Sequence, residues 1–576
     1  MDTEAPPPSD RRRRQGGWIT FPFIIGTMAF LTLSAGGWIN NLIVYLIQEF
    51  NMKSISAAKI FNFVNGSVTM LPIVGAVVAD SFFGCFSVIW FSSILSLLGV
   101  VVMVLTAAVK KLQPPTCETI RSNLCIQPTG LQYAVLYFGL SLASLGTAGT
   151  RFTIATIGAD QFAAQKSQGI FFNWYIFTMY VATVISSTGI VYVEDNASWT
   201  LGFSLCAAAN ILGLAVFLSG IRFYSLVTPR GSPYTSLARV IVVAVRRRRM
   251  ILSPKSEDYY HEENYASNPT PFFSFLNRAA LRTEEVDTDC GSATEKSKST
   301  KKSKWCTVRE VEDLKRVIKL VPLWSTGLLL CTPLAIQLSL SIIQALTMDR
   351  QLTSHFKVPS GSMPVFILIS TSFTILVLDR FLFPFWSKLP TRRRGQPPSL
   401  LRRVGVGHAF TIISMAISAI VESKRLQSAA AGNKSGVGGG GAVVPMSAMW
   451  LVPQLAAAGA GEALHFPAQI ALYYQEFPES MKSTATAAVA MFIGIAFYMS
   501  NGVIDLVGKA TGWLPDDINE GRLDYVYWLC CVLGGLNFVY FLVCASLYEY
   551  QNIDESAAAA EAAPPPVIKA ADDGVD

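Results

Sequence analysis

One cation stands inside an apolar stretch of this chain. Arg151 lies in GTAGTRFTIATIGADQF, and a charged side chain placed in lipid costs about 2.5–3.5 kcal/mol on insertion scales. It could face a cavity and attract an anion. The alternatives are a side chain that snorkels to the membrane surface and a structural ion pair. Because Gly146, Ala148 and Gly149 leave space beside it, we predict that Arg151 binds an anion.

A second apolar run carries a polar stripe. Its members fall within roughly 80° of one another around a helix, and they are Gln454, Glu462, His465 and Gln469. We predict that this face lines a cavity, that Glu462 contacts the substrate or titrates as a gating group, and that His465 is its proton-sensitive neighbour. In the alternatives, Glu462 pairs with Arg151 or is a structural acid, and His465 is a hydrogen-bonded packing residue.

A third run places Gln337, Ser341 and Gln344 on one helix face. Such amides and hydroxyls can orient an oxyanion without neutralising it, and hydrogen bonding between helices is the alternative. We find no Gly-rich phosphate loop, no nucleophile elbow and no zinc-ligand spacing. The sequence therefore predicts no catalytic residue, metal site, cofactor, nucleic-acid partner or enzymatic activity.

Membrane-spanning helices must position these residues. The chain has 576 residues, of which 51% are hydrophobic and 15% charged, with a net charge of +7; soluble proteins carry roughly 25% charged residues. Each of twelve apolar segments can cross about 30 Å of hydrocarbon. In chain order, as spans one to twelve, they are 18–47, 60–80, 86–109, 131–156, 171–194, 199–219, 317–346, 363–388, 405–424, 446–475, 482–508 and 524–548. The prediction is an all-α protein embedded in membrane lipid.

The spans fall into two sets of six. The predicted parts are an N-terminal tail (1–17), a six-helix bundle (18–219), a linker (220–316), a second six-helix bundle (317–548) and a C-terminal tail (549–576). Basic runs at Arg11–Arg14, Arg246–Arg249 and Arg392–Arg394 place both tails and the linker in the cytosol by the positive-inside rule.

Two features fall on the predicted outside. Asn433-Lys434-Ser435 has the form of a glycosylation acceptor. Cys117 and Cys125 share a loop and could form a disulfide, or remain two free thiols.

The arrangement of six plus six helices is that of major facilitator transporters. The loop between spans two and three supports it, since Gly75, Asp80 and Gly84 in GAVVADSFFG fit the signature of that superfamily. Small residues there let helices approach closely, and the acid caps a helix end. Cys85 stands where a basic residue is expected.

Longer stretches carry a more specific resemblance. They include FFNWYIF (171–177), DNASWTLGF (195–203) and LVPQLAAAGAGEALHFPAQIALYY (451–474). The chain resembles the plant nitrate and peptide transporter family, in the proton-dependent oligopeptide transporter branch of the major facilitator superfamily. LSAGGWINNLIVYLIQEFNMKSI (33–55) and GTRFTIATIGADQF (149–162) look like its nitrate-excretion-type subgroup. That resemblance implies a major facilitator fold and a plasma-membrane carrier of nitrate or chloride, with the tonoplast as the alternative location.

The chain departs from this family in span one. Proton-coupled members carry two glutamates there, in the pattern ExxE followed by Lys or Arg, whereas this chain has Met28-Ala29-Phe30-Leu31-Thr32. The family's span-four cation is matched by Arg151, and its nitrate-binding histidine falls at Ala335. Plant cells are negative inside, and at about 2.3 kcal/mol per charge per 100 mV an uncoupled carrier drives a monovalent anion outward. We therefore predict low-affinity nitrate transport, with chloride as a further substrate, as potential-driven efflux or bidirectional flux.

Three alternatives stay open. The first is proton-coupled nitrate uptake through Glu462 and His465, and the second is transport of a larger organic anion. The third, from a different class, is a membrane sensor or scaffold that acts through the 220–316 loop, where a kinase could modify Ser, Thr and Tyr side chains.

Overall fold

A computed structural model gives the fold. It describes residues 16–115, 126–162, 164–226, 233–261, 269–282, 306–354, 356–382, 384–385, 399–434, 443–477 and 485–548. The predictions for Arg11–Arg14, Arg392–Arg394, the Cys117–Cys125 pair, the C-terminal tail and Ser435 of the acceptor site fall outside these residues.

Twelve helical spans lie in the described part of the chain. Spans one to six are Phe21–Asn40 with Leu42–Gln48, Ser54–Met70 with Pro72–Val78, Gly84–Ala108, Gly130–Arg151 with Thr153–Ala159, Gln165–Ile185 with Val191–Asn196, and Trp199–Ser219. Spans seven to twelve are Val308–Thr347, Val365–Val377, Leu400–Lys434, Val452–Glu476, Ala485–Thr511 and Leu523–Leu547. Eleven of them are long and apolar enough to cross a membrane. Span ten has the length, but the polar stripe lowers its hydropathy.

Shorter elements join these helices. π-Helical turns, at Ala79–Phe83, Ser186–Ile190 and Leu378–Leu382, extend spans two, five and eight. Strand Met348–Asp349 pairs in parallel with Val444–Ser447, and Gln351–Thr353 pairs antiparallel with Phe356–Lys357. Span four begins at a capping box formed by Thr129 and Gln132, and span seven at one formed by Thr307 and Glu310.

The glycines of the loop signature have structural roles. A Cβ at Gly75 would lie 3.3 Å from the Cα of Gly149, so these two glycines allow spans two and four to approach closely. Gly84 has a φ of 75°, a conformation that favours glycine, at the start of span three. Asp80 lies in the π-helical turn between them, and its side chain is outside the described part.

Two predicted elements need correction. Span nine, predicted as 405–424, runs from Leu400 to Lys434, because the helix continues through Arg425, which is buried in an ion pair with Glu422, into residues that are partly or wholly exposed. The linker, predicted as a loop, contains helix Pro233–Arg246 and the 3₁₀ segments Ser256–Asp258 and Ser274–Ala280.

These linker elements share a small hydrophobic core with the start of span seven. Its buried members include Val240, Val243, Tyr259, Leu276 and Val311. An ion pair between Arg239 and Glu310 ties the linker helix to span seven beside this core. The described linker residues from Pro233 onward are therefore folded against the second set of spans, whereas Tyr224 packs in the core of the first set.

The two sets of six spans meet at one end of the bundle. We call this end, where the odd-numbered spans finish, the outer face, and the opposite end the inner face; the sequence predicts them to be extracellular and cytosolic. At the outer face Arg350 pairs with Asp195 at 3.2 Å, and the Ser362 hydroxyl donates to the Ser187 carbonyl at 2.6 Å. Lys53 also pairs with Asp516 across the two sets.

The hydrophobic cores show the same asymmetry. One core is shared by both sets of spans and includes Leu42 and Tyr45 with Ile343 and Tyr527. Toward the inner face each set has a core of its own: Ile24, Phe171 and Phe217 belong to the first, and Leu320, Tyr473 and Phe541 to the second. The bundle is thus closed at the outer face and divided toward the inner face.

Candidate anion site

Arg151 is the last residue of the first helix of span four. Its side chain is solvent-accessible. The Tyr175 hydroxyl of span five donates to the Arg151 carbonyl at 3.2 Å. This bond holds the backbone at the point where the helix breaks before Thr153.

No carboxylate neutralises Arg151 among the residues that the structure describes. The stretch of span one that carries acids in related transporters supplies none. Met28 is buried there, and the Thr32 hydroxyl donates to its sulfur at 3.6 Å. The accessible guanidinium of Arg151 is therefore a fixed positive charge without an acidic partner among the described residues.

Glu462 lies where the two sets of spans face each other. It is partly accessible and has no ion pair within the described residues. Its electrostatic neighbours are Tyr180 of span five and Cys331 of span seven. A carboxyl in this place can respond both to the anion and to the separation of the two sets.

Arg151 and Glu462 form no ion pair with each other among the described residues. The predicted alternative of a direct pair between them is therefore not realised in this conformation.

The other polar residues of span ten are buried. Gln454, His465 and Gln469 are 0%, 1% and 5% exposed. His465 packs against the ring of His408 at 5.2 Å between centroids, and neither of its ring nitrogens has a hydrogen-bond partner in the described part of the chain. Of the stripe that we predicted to line a cavity, only Glu462 is accessible, and His465 is a packing residue in this conformation.

The amides of span seven are engaged in helix packing. The Gln337 amide donates to the hydroxyls of Ser414 and Ser418 at 2.8 Å each, and the Ser341 hydroxyl donates to the Leu338 carbonyl at 3.0 Å. These contacts correct the expectation that Gln337 and Ser341 orient an anion. The alternative of interhelical hydrogen bonding, left open for this face, describes Gln337.

Gln344 belongs to a buried network that sequence reasoning missed. Its amide donates to Glu422 at 2.6 Å and its oxygen accepts from Tyr527 at 3.0 Å. Glu422 in turn forms an ion pair with Arg425 at 2.7 Å, and both side chains are 0% exposed. The spacing of three residues between acid and base in ESKR is the sequence signal that could have predicted this ion pair. Gln344 is thus also unavailable to a substrate.

No group of three or more His, Cys, Asp or Glu residues is arranged for a metal ion within the described residues. Of the binding residues that the sequence predicts, the structure leaves Arg151 and Glu462 accessible.

Comparisons with known proteins identify the family. The model of the POT family matches residues 86–519. Protein NRT1/ PTR FAMILY 2.6 of Arabidopsis thaliana is 51% identical over 547 residues, which cover 94% of this chain and 95% of that protein. Protein NRT1/ PTR FAMILY 2.7 of the same plant is 51% identical over 550 residues, 95% of each chain.

Solved structures show the same fold. The POT family transporter PepTSo matches with a TM-score of 0.67 at 16% sequence identity, over 93% of this chain and 99% of that one. An auto-inhibited POT family peptide transporter matches with a TM-score of 0.64, also at 16% identity, over 92% of this chain and 97% of that chain. The predicted major facilitator fold is confirmed, and so is the expectation that the chain is not an enzyme. This chain is a member of the POT family of membrane transporters.

Proposed function

We propose that this transporter carries nitrate at low affinity, with chloride as a further substrate, by alternating access between its two sets of six spans. The observation that carries the proposal is the accessible guanidinium of Arg151 without a described acidic partner. A fixed cation in a cavity attracts an anion, and a single cation favours a monovalent one.

The chemistry of the guanidinium supports nitrate. Arginine presents parallel N–H donors in a planar fork, and this fork can contact two oxygens of a planar oxyanion at once. Chloride has no second acceptor atom and would be held by charge alone. Arg151 would therefore bind both anions, with the better geometry for nitrate.

Glu462 would act as the gate. It lies beside Tyr180 across the boundary between the two sets, so rocking of one set against the other changes its surroundings. A carboxylate that approaches Arg151 in another state would compete with the anion and release it. Gln337, Ser341, Gln344 and His465 are not retained in the proposed site, because they are buried in helix packing here.

The direction of flux follows from charge. Positions 28–32 of span one contain no carboxylate. Proton-driven import therefore has no titratable group at the place where related proton-coupled transporters carry their acids. A monovalent anion then moves with the membrane potential, at about 2.3 kcal/mol per 100 mV. In a cell that is negative inside, this favours efflux across the plasma membrane, consistent with a nitrate-excretion-type role and with cytosolic chain termini.

The test is anion flux in proteoliposomes at a clamped voltage and equal pH on both sides. Wild-type protein should move nitrate in the direction set by the voltage, toward a roughly 50-fold gradient at 100 mV. Arg151→Ala should reduce this flux strongly. Undiminished nitrate flux in Arg151→Ala, or no wild-type flux until a pH gradient is imposed, would refute the proposal. If millimolar nitrate does not reduce the flux of a larger organic anion, the organic anion replaces nitrate as the proposed substrate.

Proton-coupled uptake through Glu462 is the second candidate, favoured by the accessibility of this carboxyl at the boundary between the sets. It predicts that a pH gradient accelerates uptake in wild type and not in Glu462→Gln. Regulation by a kinase acting on the linker would be tested by removing the linker hydroxyls while flux is measured, and a scaffold role by truncating the linker while signalling is followed.

A further inference from the structure

A buried carboxyl group lies outside the proposed anion site. Glu194 belongs to Val191–Asn196, the outer end of span five, and is 2% exposed. Both of its carboxylate oxygens are buried, and neither has a hydrogen-bond partner among the described residues. An isolated ionised carboxylate in such a place costs several kcal/mol.

The neighbours of Glu194 come from several elements. Span one contributes Asn41, which is 1% exposed and whose amide nitrogen and oxygen are both unpartnered in the described part. Span six contributes Gly202, where a Cβ would lie 2.1 Å from the Glu194 Cγ, and the buried thiol of Cys206. The adjacent charges are Asp195 and its partner Arg350. No basic group is therefore paired with Glu194 itself among the described residues.

Asn41 connects this carboxyl to the other set of spans. A Cβ at Gly361, at the start of span eight, would lie 2.5 Å from the Asn41 Oδ1. Asp195 next to Glu194 pairs with Arg350 of the second set at 3.2 Å. Two neighbours of Glu194, Asn41 and Asp195, thus contact the second set where the two sets meet at the outer face.

A neutral carboxyl group would satisfy this site. Its O–H could donate to the amide oxygen of Asn41, while the Asn41 N–H donates back to the second carboxyl oxygen. This reciprocal pair would satisfy four of the polar atoms that now lack partners. An ionised carboxylate supplies no donor and leaves the Asn41 oxygen unpaired.

We propose that Glu194 is a proton-binding site of this transporter and that its protonated form stabilises the closed outer face. When the outer face opens, Gly361 and Arg350 withdraw, water reaches the carboxyl, and it releases its proton to the outer solution. When the face closes, a proton from the same side converts the carboxylate to the acid. The proton returns to the side from which it came, so the site gates transport without coupling it to the pH gradient.

The inference rests on the alternating access in the proposed function, but not on the identity of the anion. The primary measurement therefore contains no substrate. Hydrogen exchange is followed by mass spectrometry in proteoliposomes for peptides that cover residues 187–196 and 358–364, corrected for the intrinsic effect of pH on exchange. One titrating proton can shift the equilibrium between closed and open states by at most about tenfold per pH unit.

Wild-type protein should become more protected in both peptides as the outer pH falls. Glu194→Gln mimics the neutral acid and should be protected at every pH. Glu520→Gln is the matched control, an equivalent change of an exposed carboxyl between spans eleven and twelve, and should retain the wild-type response. The proposal is overturned if Glu194→Gln keeps the pH response, if wild type has none, or if Glu520→Gln abolishes it.

A second variant distinguishes loss of the titrating proton from a folding defect. Glu194→Asp keeps a titratable carboxyl one methylene shorter, so it should keep a pH response with a displaced midpoint. Loss of the response in a folded Glu194→Asp protein would overturn the proposal. Nitrate flux at acid outer pH should fall in wild type and be low and independent of pH in Glu194→Gln. A chain that carries no nitrate but shows the predicted exchange behaviour would refute the proposed substrate and leave the proton site intact.

Discussion

Breaking the buried pair of span nine should destabilise the protein without changing how it recognises an anion. Arg425 donates to both oxygens of Glu422 at 2.7 Å, to the Thr347 hydroxyl at 3.0 Å, and to Asn519. In Arg425→Met the Glu422 carboxylate keeps only the N–H of Gln344. Removing one partner of a buried ion pair costs about 3–5 kcal/mol.

The size of this cost follows from burial. Both partners are 0% exposed, so water cannot replace the lost bonds and the remaining charge stays desolvated. Arg425→Met with Glu422→Gln removes both charges and leaves one neutral amide that Gln344 can still contact. The double variant should therefore recover most of the lost stability.

The assay combines unfolding with transport. Apparent unfolding temperatures in detergent should fall markedly for Arg425→Met and recover in the double variant. Gln344→Leu should also lower the unfolding temperature, but its KM for nitrate should stay within about twofold of wild type, since the loss of a group that does not contact substrate leaves uniform binding unchanged. A Gln344→Leu protein of normal stability with a KM raised tenfold or more would refute the assignment of Gln344 to packing.

Other predictions test the cavity, the linker and the contact between the sets. Arg151→Gln should raise the KM for nitrate by about 5- to 30-fold. A contact ion pair is worth about 1 kcal/mol in water and about 4 kcal/mol at an effective dielectric of 20, and the accessible guanidinium lies nearer the aqueous limit. Arg151→Lys keeps the charge and should raise the KM less, and equal KM values for the two variants would contradict this prediction. Burial raises the pKa of the Cys306 thiol to about 11, so at pH 8 this thiol is almost wholly neutral and should resist alkylation by iodoacetamide. Val243→Asp should disrupt the linker core, and mass spectrometry should then find Cys306 alkylated. Alkylation at the same rate in wild type and in the variant would argue against that core. A Cβ at Gly494 would lie 2.7 Å from the Cβ of Met70, so Gly494→Ala should slow transport by obstructing the contact between spans two and eleven. Gly508→Ala is the control, because a Cβ at Gly508 would have no atom within 4 Å, and it should not slow transport. Equal flux in the Gly494→Ala and Gly508→Ala proteins would show that the close contact at Gly494 is not needed.

Much of the fold could be predicted because the bilayer imposes a simple rule. A segment must be about 20 apolar residues long to cross it, and unpaired backbone groups force that segment to be a helix. The apolar runs therefore marked all twelve spans, including span ten with its polar stripe. Arg151 was detectable for the same reason, since a cation within such a run needs a compensating environment.

The direction in which a side chain points was harder to predict. Spacing placed Gln337 and Gln344 correctly on one face of span seven, but spacing does not say whether that face meets a cavity or another helix. Ser414, Ser418 and Glu422 of span nine supply their partners, about 80 residues away in the chain. Only the packing of spans seven and nine could decide between the two alternatives.

Hydropathy and charge placement are local properties of the chain, so they predict the twelve spans and the unusual cation in span four without any tertiary information. Which polar groups share a space depends on tertiary packing. Glu194 shows the difference: in VYVEDNASW it stands at the polar end of a span beside Asp195, yet it is buried against Gly202, and its neighbour Asn41 lies against Gly361 of the second set. Burial of that kind depends on residues distant in sequence, because only the packing of the spans brings those residues together.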